Sequence, residues 1–161
     1  LSGPALRACG CAYDTRIQNP YFAYDRIVPR MATAEGGGTL ARFAVRQAEL
    51  HNALSLVLRA LAAYQGLSED QRCDVCIFDT ASGEPLPPPA VGTAFANMEM
   101  ANGKLTLFLA SDGSEHPHRA RIHGPSFSLA AALPRLLDNA HLDHVVPILR
   151  SLGMIGSEMD R

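Results

Sequence analysis

The sequence predicts an α+β fold: one long helix, a small antiparallel sheet and two or three short helices. Three observations lead there. Apolar residues recur at three- and four-residue spacing from Thr39 to about Gln65. Two alternating runs flank Asn102-Gly103, a strong hairpin signal because both central residues of a type I′ turn need positive φ. Two further periodic runs follow Gly124 and lead into a short tail. At 161 residues, with 47% hydrophobic and 19% charged residues, the chain has the size of one domain.

Residues 1–30 show no sustained period and are punctuated by Pro4, Gly10, Pro20 and Pro29. Extended or looped chain is expected there, with one helical turn near Phe22 to Ile27. The opening Leu1-Ser2-Gly3-Pro4 lacks a methionine and reads as a trimmed start, whether of an artificially shortened chain, a processed product or a piece of a longer subunit. Ala34-Glu35-Gly36-Gly37-Gly38 is a joint; without a following Gly-Lys-Ser/Thr it does not cradle phosphate.

The long helix carries Leu40, Phe43, Leu50, His51, Leu54, Val57, Leu58 and Leu61 along one stripe, with Thr39 as N-cap and Gly66 as stop. Little else in the chain is long enough to cover such a stripe. A partner is therefore expected, and a homo-oligomer if the chain is isolated. His51 is expected to be a satisfied core histidine. Residues 67–90 read as a linker ending in a polyproline-like spacer, Pro85-Leu86-Pro87-Pro88-Pro89.

If Asn102 and Gly103 form the loop, Met100 faces Leu105, Met98 faces Leu107 and Ala96 faces Leu109, giving one wholly apolar sheet face. A third strand, Arg119 to Ile122, would return beside the second. Helices are expected over Ser126 to Asn139 and His141 to Leu152, each interrupted or kinked by its proline, Pro134 or Pro147. The second presents Leu142, Val145, Val146, Leu149 and Leu152 on one face. The organisation expected is a single partial domain. It comprises an anchoring loop over 1–38, the long helix over 39–66, a linker over 67–90, and the hairpin, C-terminal helices and tail over 91–161.

Net charge is −2, which gives no electrostatic footing for nucleic acid or an anionic membrane surface. No apolar run is long enough to span a bilayer. Four cysteines, Cys9, Cys11, Cys73 and Cys76, could form a tetrathiolate site for zinc or iron–sulfur, although Cys-x-Cys is an unusual zinc spacing. Free thiols in a reducing compartment are the plainer account. His116, His118, His141 and His144 with Asp143 invite a second metal reading, against which stands a set of solvated surface histidines. Ser126 lies in Gly124-Pro125-Ser126-Phe127, which is not a nucleophile elbow, and no dinucleotide fingerprint is present.

Several motifs point further. They are Gly3-Pro4-x-Leu6-Arg7-Ala8, Asp14-x-Arg16, Pro20-Tyr21-x-x-Tyr24-Asp25, and Arg42-x-x-x-Arg46-x-x-Glu49. Then come Ser111-Asp112-Gly113-Ser114, Pro117, Arg119, Ile122, Pro125, Phe127, Val145-Val146 and the terminal Gly156-x-Glu158-x-Asp160-Arg161. In this order they resemble the C-terminal portion of the quinone-site large subunit of NADH:quinone oxidoreductase, respiratory complex I. That family is related to the nickel–iron hydrogenase large subunits. The resemblance covers the first 65 and last 70 residues. It departs at the linker, at Gly37-Gly38 where the family carries Gly-Asp, and at Asp143-His144. The hydrogenase C-terminal Cys-x-x-Cys is absent, so no nickel–iron centre is expected.

The resemblance implies that Arg7, Arg16, Asp25, Arg42, Arg46, Glu49 and Arg161 are structural ion-pair residues. From residue physics alone, solvated charges on a loop and a helix face are the simpler reading. It implies that the tail with Gly156, Glu158 and Asp160 folds towards the quinone cavity, with Glu158 and Asp160 as structural ion-pair residues of the tail, not proton donors, and no catalytic residue in this chain. The parent complex uses quinone, iron–sulfur clusters and NADH, none expected on this chain. The implied partners are the iron–sulfur subunit and other subunits, at a cytoplasmic site peripheral to the inner membrane. Two other readings remain open: a stand-alone interaction module held by a four-cysteine metal site, and the nickel-free large subunit of a membrane hydrogenase-like complex.

Overall fold

A computed structural model of the chain describes residues 1–73 and 89–159. Short helices α1 (Gly3–Arg7) and α2 (Thr15–Gln18) precede the long helix α3 (Thr39–Gln65) and a helical turn, α4 (Glu69–Cys73). Strands β1 (Gly92–Met100), β2 (Gly103–Ser111) and β3 (Arg119–His123) form an antiparallel sheet in the order β1-β2-β3. Helices α5 (Pro125–Ala131), α6 (Leu133–Leu137) and α7 (Leu142–Leu152) follow, then a 3-10 turn over Gly156–Glu158. The fold is therefore α+β.

Residues 1–30 are more ordered than their composition suggests. Pro4 starts α1 at a position where a missing N–H costs nothing. The Asp14 side chain accepts from Arg16 N and caps α2. The Phe22–Ile27 segment closes one helical turn, with Ile27 N donating to Ala23 O. α4 occupies the start of the stretch expected to be linker; the proline-rich run lies mainly outside the described residues.

The hairpin turn sits one residue earlier than expected. Ala101 and Asn102 form the loop, Met100 pairs with Gly103, Met98 with Leu105, Ala96 with Leu107 and Ala94 with Leu109. Moving the loop by one residue shifts the pairing by two, so each side chain keeps its face. Neither loop residue has positive φ, so the turn is not type I′; Gly103 takes φ +141° instead. The cause is tertiary. Asn102 is buried, with its amide turned to Ser126 and Glu158. Gly103 lies against Gly3, where an added Cβ on Gly3 would come within 2.4 Å of Gly103 Cα.

Pro134 ends α5 and restarts the chain as α6, standing at that helix's second position. Pro147 lies inside an unbroken α7. Of the expected α7 face, Leu152 is buried whereas Leu142 and Val146 are exposed. The apolar core is small. Ala5, Leu129 and Leu152 are buried together, with Leu133, Leu136 and Met154 packed on them. It ties α1 to the C-terminal helices and leaves most of α3 bare. Leu40 is 83% exposed, Leu58 68% and Leu54 59%, so the stripe is a contiguous apolar surface. His51 is exposed too, contrary to a core role; its Nδ1 lies 2.9 Å from Gln47 O. The face of α3 that turns inward instead carries Arg42, Val45, Arg46 and Glu49, with Arg42 and Val45 buried.

Candidate functional site

The site is a charged network where α1, α2, α3 and the end of β1 meet. Arg7, at the last turn of α1, is 2% exposed. Its Nε donates to Glu49 Oε1 of α3 at 2.6 Å, and its Nη1 donates to Glu99 Oε1 of β1 at 2.9 Å and to Tyr13 O at 2.8 Å. Asp14 Oδ2 stands 3.7 Å from the same Nη1. Glu99 Oε2 accepts from Thr15 N at 3.2 Å. Arg16 grips Asp14 as a fork, at 3.0 Å and 2.7 Å. Charges this deeply placed persist only when paired and hydrogen-bonded on every side.

Burial works against the Arg7 charge, but hydrogen bonds and attraction from Glu49 and Glu99 outweigh it and hold its pKa above the ordinary value. Burial also opposes the Asp14 charge; Arg16 prevails, and the carboxyl stays below the usual range. At Glu49 burial wins, pushing the carboxyl up against the pull of Arg7. A cleft of about 310 Å³ opens beside the network, lined in part by Arg7, Arg16, Arg46, Glu49, Glu99 and Met100.

Arg42 and Arg46 form a second network, and here the ion-pair expectation needs correcting. Arg42 donates to Ser151 Oγ at 2.9 Å, to Gly37 O at 2.6 Å and to Thr39 Oγ1 at 3.2 Å. Arg46 donates to Ser151 O at 3.0 Å and Leu152 O at 2.6 Å. These two carbonyls stand at the C-terminal end of α7, where the helix dipole is negative. No carboxylate pairs with either arginine among the described residues, and burial lowers the pKa of both. α7 ends at Gly153 with φ +63°, and a Cβ there would fall 2.6 Å from Arg46 Nη2. Asp25 is also no anchor: it is exposed and, among the described residues, ion-pairs only with its neighbour Arg26, at 3.9 Å. Asp160 and Arg161 lie outside the described residues.

The tail is held by a third network. Glu158 Oε2 accepts from Ser126 Oγ in a short hydrogen bond and from Ser126 N at 3.1 Å. Asn102 Nδ2 lies 3.4 Å from Glu158 Oε2 and 3.2 Å from Ser126 Oγ, and Ser126 Oγ accepts from Ile155 N at 3.0 Å. Glu158 thus caps the first turn of α5 with no cation near it among the described residues, so hydrogen bonds rather than an ion pair fasten it. Gly156 is exposed in the 3-10 turn beside it.

Glu99, Asn102, Ser126 and Ser151 carry no mark of an anchor in the sequence. Each acts on a partner far along the chain, and no local pattern signals that. Among the described residues no three histidine, cysteine or acidic side chains converge as a metal site. Cys9 and Cys11 are exposed free thiols; Cys9 Sγ donates to Ala5 O at 3.4 Å. Cys76 lies outside the described residues, as does the side chain of Cys73. His141 and His144 meet edge to face at 5.9 Å on the surface. No described helix is long and apolar enough to cross a membrane.

The chain is 33% identical to the NADH-quinone oxidoreductase D subunit of Geobacillus thermodenitrificans over 165 residues, covering 99% of this chain and 41% of that protein. It is 29% identical to the D subunit of the same enzyme from Myxococcus xanthus, covering 99% of this chain and 42% of the relative. Its fold superposes on a chain of the membrane-bound sulfane sulfur reductase, an archaeal respiratory membrane complex. The TM-score is 0.85 at 33% identity, over 100% of this chain and 42% of that one. The chain thus spans about two fifths of the length of the relatives it matches. The family model of the respiratory-chain NADH dehydrogenase 49 Kd subunit matches residues 1–161 from end to end, and the chain belongs to that family.

Proposed function

We propose that this chain is a non-catalytic, structural part of a complex I-like assembly that passes electrons to quinone. It holds shape for its neighbours and carries no reacting group. The observation that carries this reading is the family match over residues 1–161 together with a bare α3 stripe. The arginines and carboxylates beside the cleft are largely engaged with one another or with backbone oxygens. Glu49, whose carboxyl burial pushes up, is held by Arg7, and no nucleophile–base pair accompanies it among the described residues. In this reading an iron–sulfur subunit and further subunits cover α3, and quinone, iron–sulfur clusters and NADH are handled elsewhere in the complex. The chain sits peripherally at the cytoplasmic face of the inner membrane. Glu158 and Gly156 belong to a tail that faces the quinone cavity.

The test is turnover. The purified chain, mixed with a soluble quinone and a chemical electron donor, is expected to reduce nothing above background; reduction by the chain alone refutes the reading. A second reading follows from the likeness to the sulfane sulfur reductase: a hydrogenase-like membrane complex without nickel, whose electron acceptor is not quinone. Activity of the assembled complex with quinone and with sulfane sulfur as rival acceptors separates the two.

A further inference from the structure

The outer strand β3 has two unlike faces. Arg119, Arg121 and His123 stand on one, and Ala120 and Ile122 on the other. Across the sheet on the first face, Arg121 pairs with Phe108 and Phe108 with Phe95, while His123 pairs with Thr106. These side chains frame a shallow groove of about 480 Å³. Among the described residues neither arginine has an acidic partner. Thr93, Phe95, Asn97, Thr106, Phe108 and Ala110, which share this part of the face, supply no carboxylate. Among the described residues His123 hydrogen-bonds only with Ser128 Oγ, at 3.4 Å. On the opposite face Ile122 is 56% exposed.

The backbone of β3 is open as well. Glu99 N donates to Tyr21 Oη and Lys104 N to Ser2 Oγ, so this pair points away from the β1–β2 ladder. Antiparallel alternation then directs Lys104, Thr106, Phe108 and Ala110 towards β3. By the same alternation the N–H and C=O of Ala120 and Ile122 face outward. No described residue takes them.

We propose that the β3 edge receives an extended segment of another polypeptide in which acidic and apolar residues alternate. A strand added here takes the free N–H and C=O groups of Ala120 and Ile122. Its acidic side chains fall opposite Arg119, Arg121 and His123, and its apolar ones cover Ile122. Opposite charges in register favour such pairing, and like charges oppose it. A second copy of β3 would set arginine against arginine, so self-pairing is disfavoured. Aromatic rings beside arginines also resemble a base-stacking platform. However, the apolar second face of the edge, where Ile122 stands exposed, favours a peptide.

Fluorescence anisotropy tests this with a labelled eight-residue peptide of alternating glutamate and valine. Three comparison probes are a lysine–valine peptide, a glutamate–valine peptide N-methylated on its ladder edge, and a single-stranded oligothymidylate. The expected result is binding of the first alone. Arg119→Glu with Arg121→Glu should weaken it at least about tenfold, whereas Arg135→Glu, on exposed α6, should leave it unchanged. Arg119→Gln with Arg121→Gln, checked for native circular dichroism, serves as the gentler variant if charge reversal unfolds the sheet. The proposal is overturned if the acidic peptide fails to bind at about 1 mM. Equal binding of the lysine peptide or the N-methylated peptide, tighter binding of the oligonucleotide, or insensitivity to both arginine pairs also overturns it.

Discussion

Replacing Arg7 by methionine removes the cation that pairs directly with both Glu49 and Glu99. The side chains of Arg7 and Glu99 are 2% and 3% exposed, whereas Glu49 is 20% exposed. After the change Glu99 keeps, among the described residues, a single backbone donor, Thr15 N at 3.2 Å, and no ion-pair partner. Breaking a buried pair from one side costs about 3–5 kcal/mol, because the stranded charge stays desolvated. That is a large part of the roughly 5–15 kcal/mol that holds a domain together. Arg7→Met should therefore lower the urea midpoint by an amount equal to about 3–5 kcal/mol. Glu49→Gln, nearer to solvent, should cost only about 1–2 kcal/mol. Adding Glu99→Leu to Arg7→Met should recover part of the loss, because the most deeply buried carboxylate is then gone and only the more exposed Glu49 lacks its arginine. The reasoning fails if Arg7→Met costs less than about 1 kcal/mol. It fails equally if the double variant is less stable than the sum of the two single changes.

Other outcomes follow from the same contacts. Because the Asp14 pKa is lowered in the folded state, its contribution is complete above the unfolded value, near pH 4, and is lost as pH falls through the lower folded value. Asp14→Asn should flatten the acid limb of a stability–pH curve while leaving its alkaline limb unchanged. Leu54→Glu with Leu58→Glu should convert an associating chain to monomer in sedimentation velocity, with native circular dichroism kept, since both residues are already exposed. Ser126→Ala removes the hydroxyl that joins Glu158, Ile155 and Asn102; it should cost about 1–3 kcal/mol and speed amide exchange over residues 154–159 more than in α3.

Much of the fold is legible because it is local. The period along Thr39–Gln65 sets α3, and alternation sets both faces of the hairpin wherever the turn falls. What covers a surface is not local. The stripe on α3 reads the same whether its partner is intramolecular or not, which is why His51 reads as core and stands exposed. The turn shifts because Asn102 answers to Ser126 and Glu158, 24 and 56 residues away. The same distance hides Glu99, which in sequence is one polar position in an alternating strand yet lies 92 residues from the arginine it serves. Arg42 and Arg46 bear a recognisable spacing, but spacing does not reveal that their acceptors are hydroxyls and main-chain oxygens.

That choice of acceptors makes the joint between α3 and α7 unusual in what can break it. Two of its bonds end on peptide oxygens, which no exchange of side chains along α7 can delete. Residues 142–150 are thus free to vary in character without loosening the grip of Arg46. A single methyl group on residue 153 would meet the guanidinium head-on and in a disfavoured dihedral. The fragility of this joint is concentrated in the one residue that has no side chain.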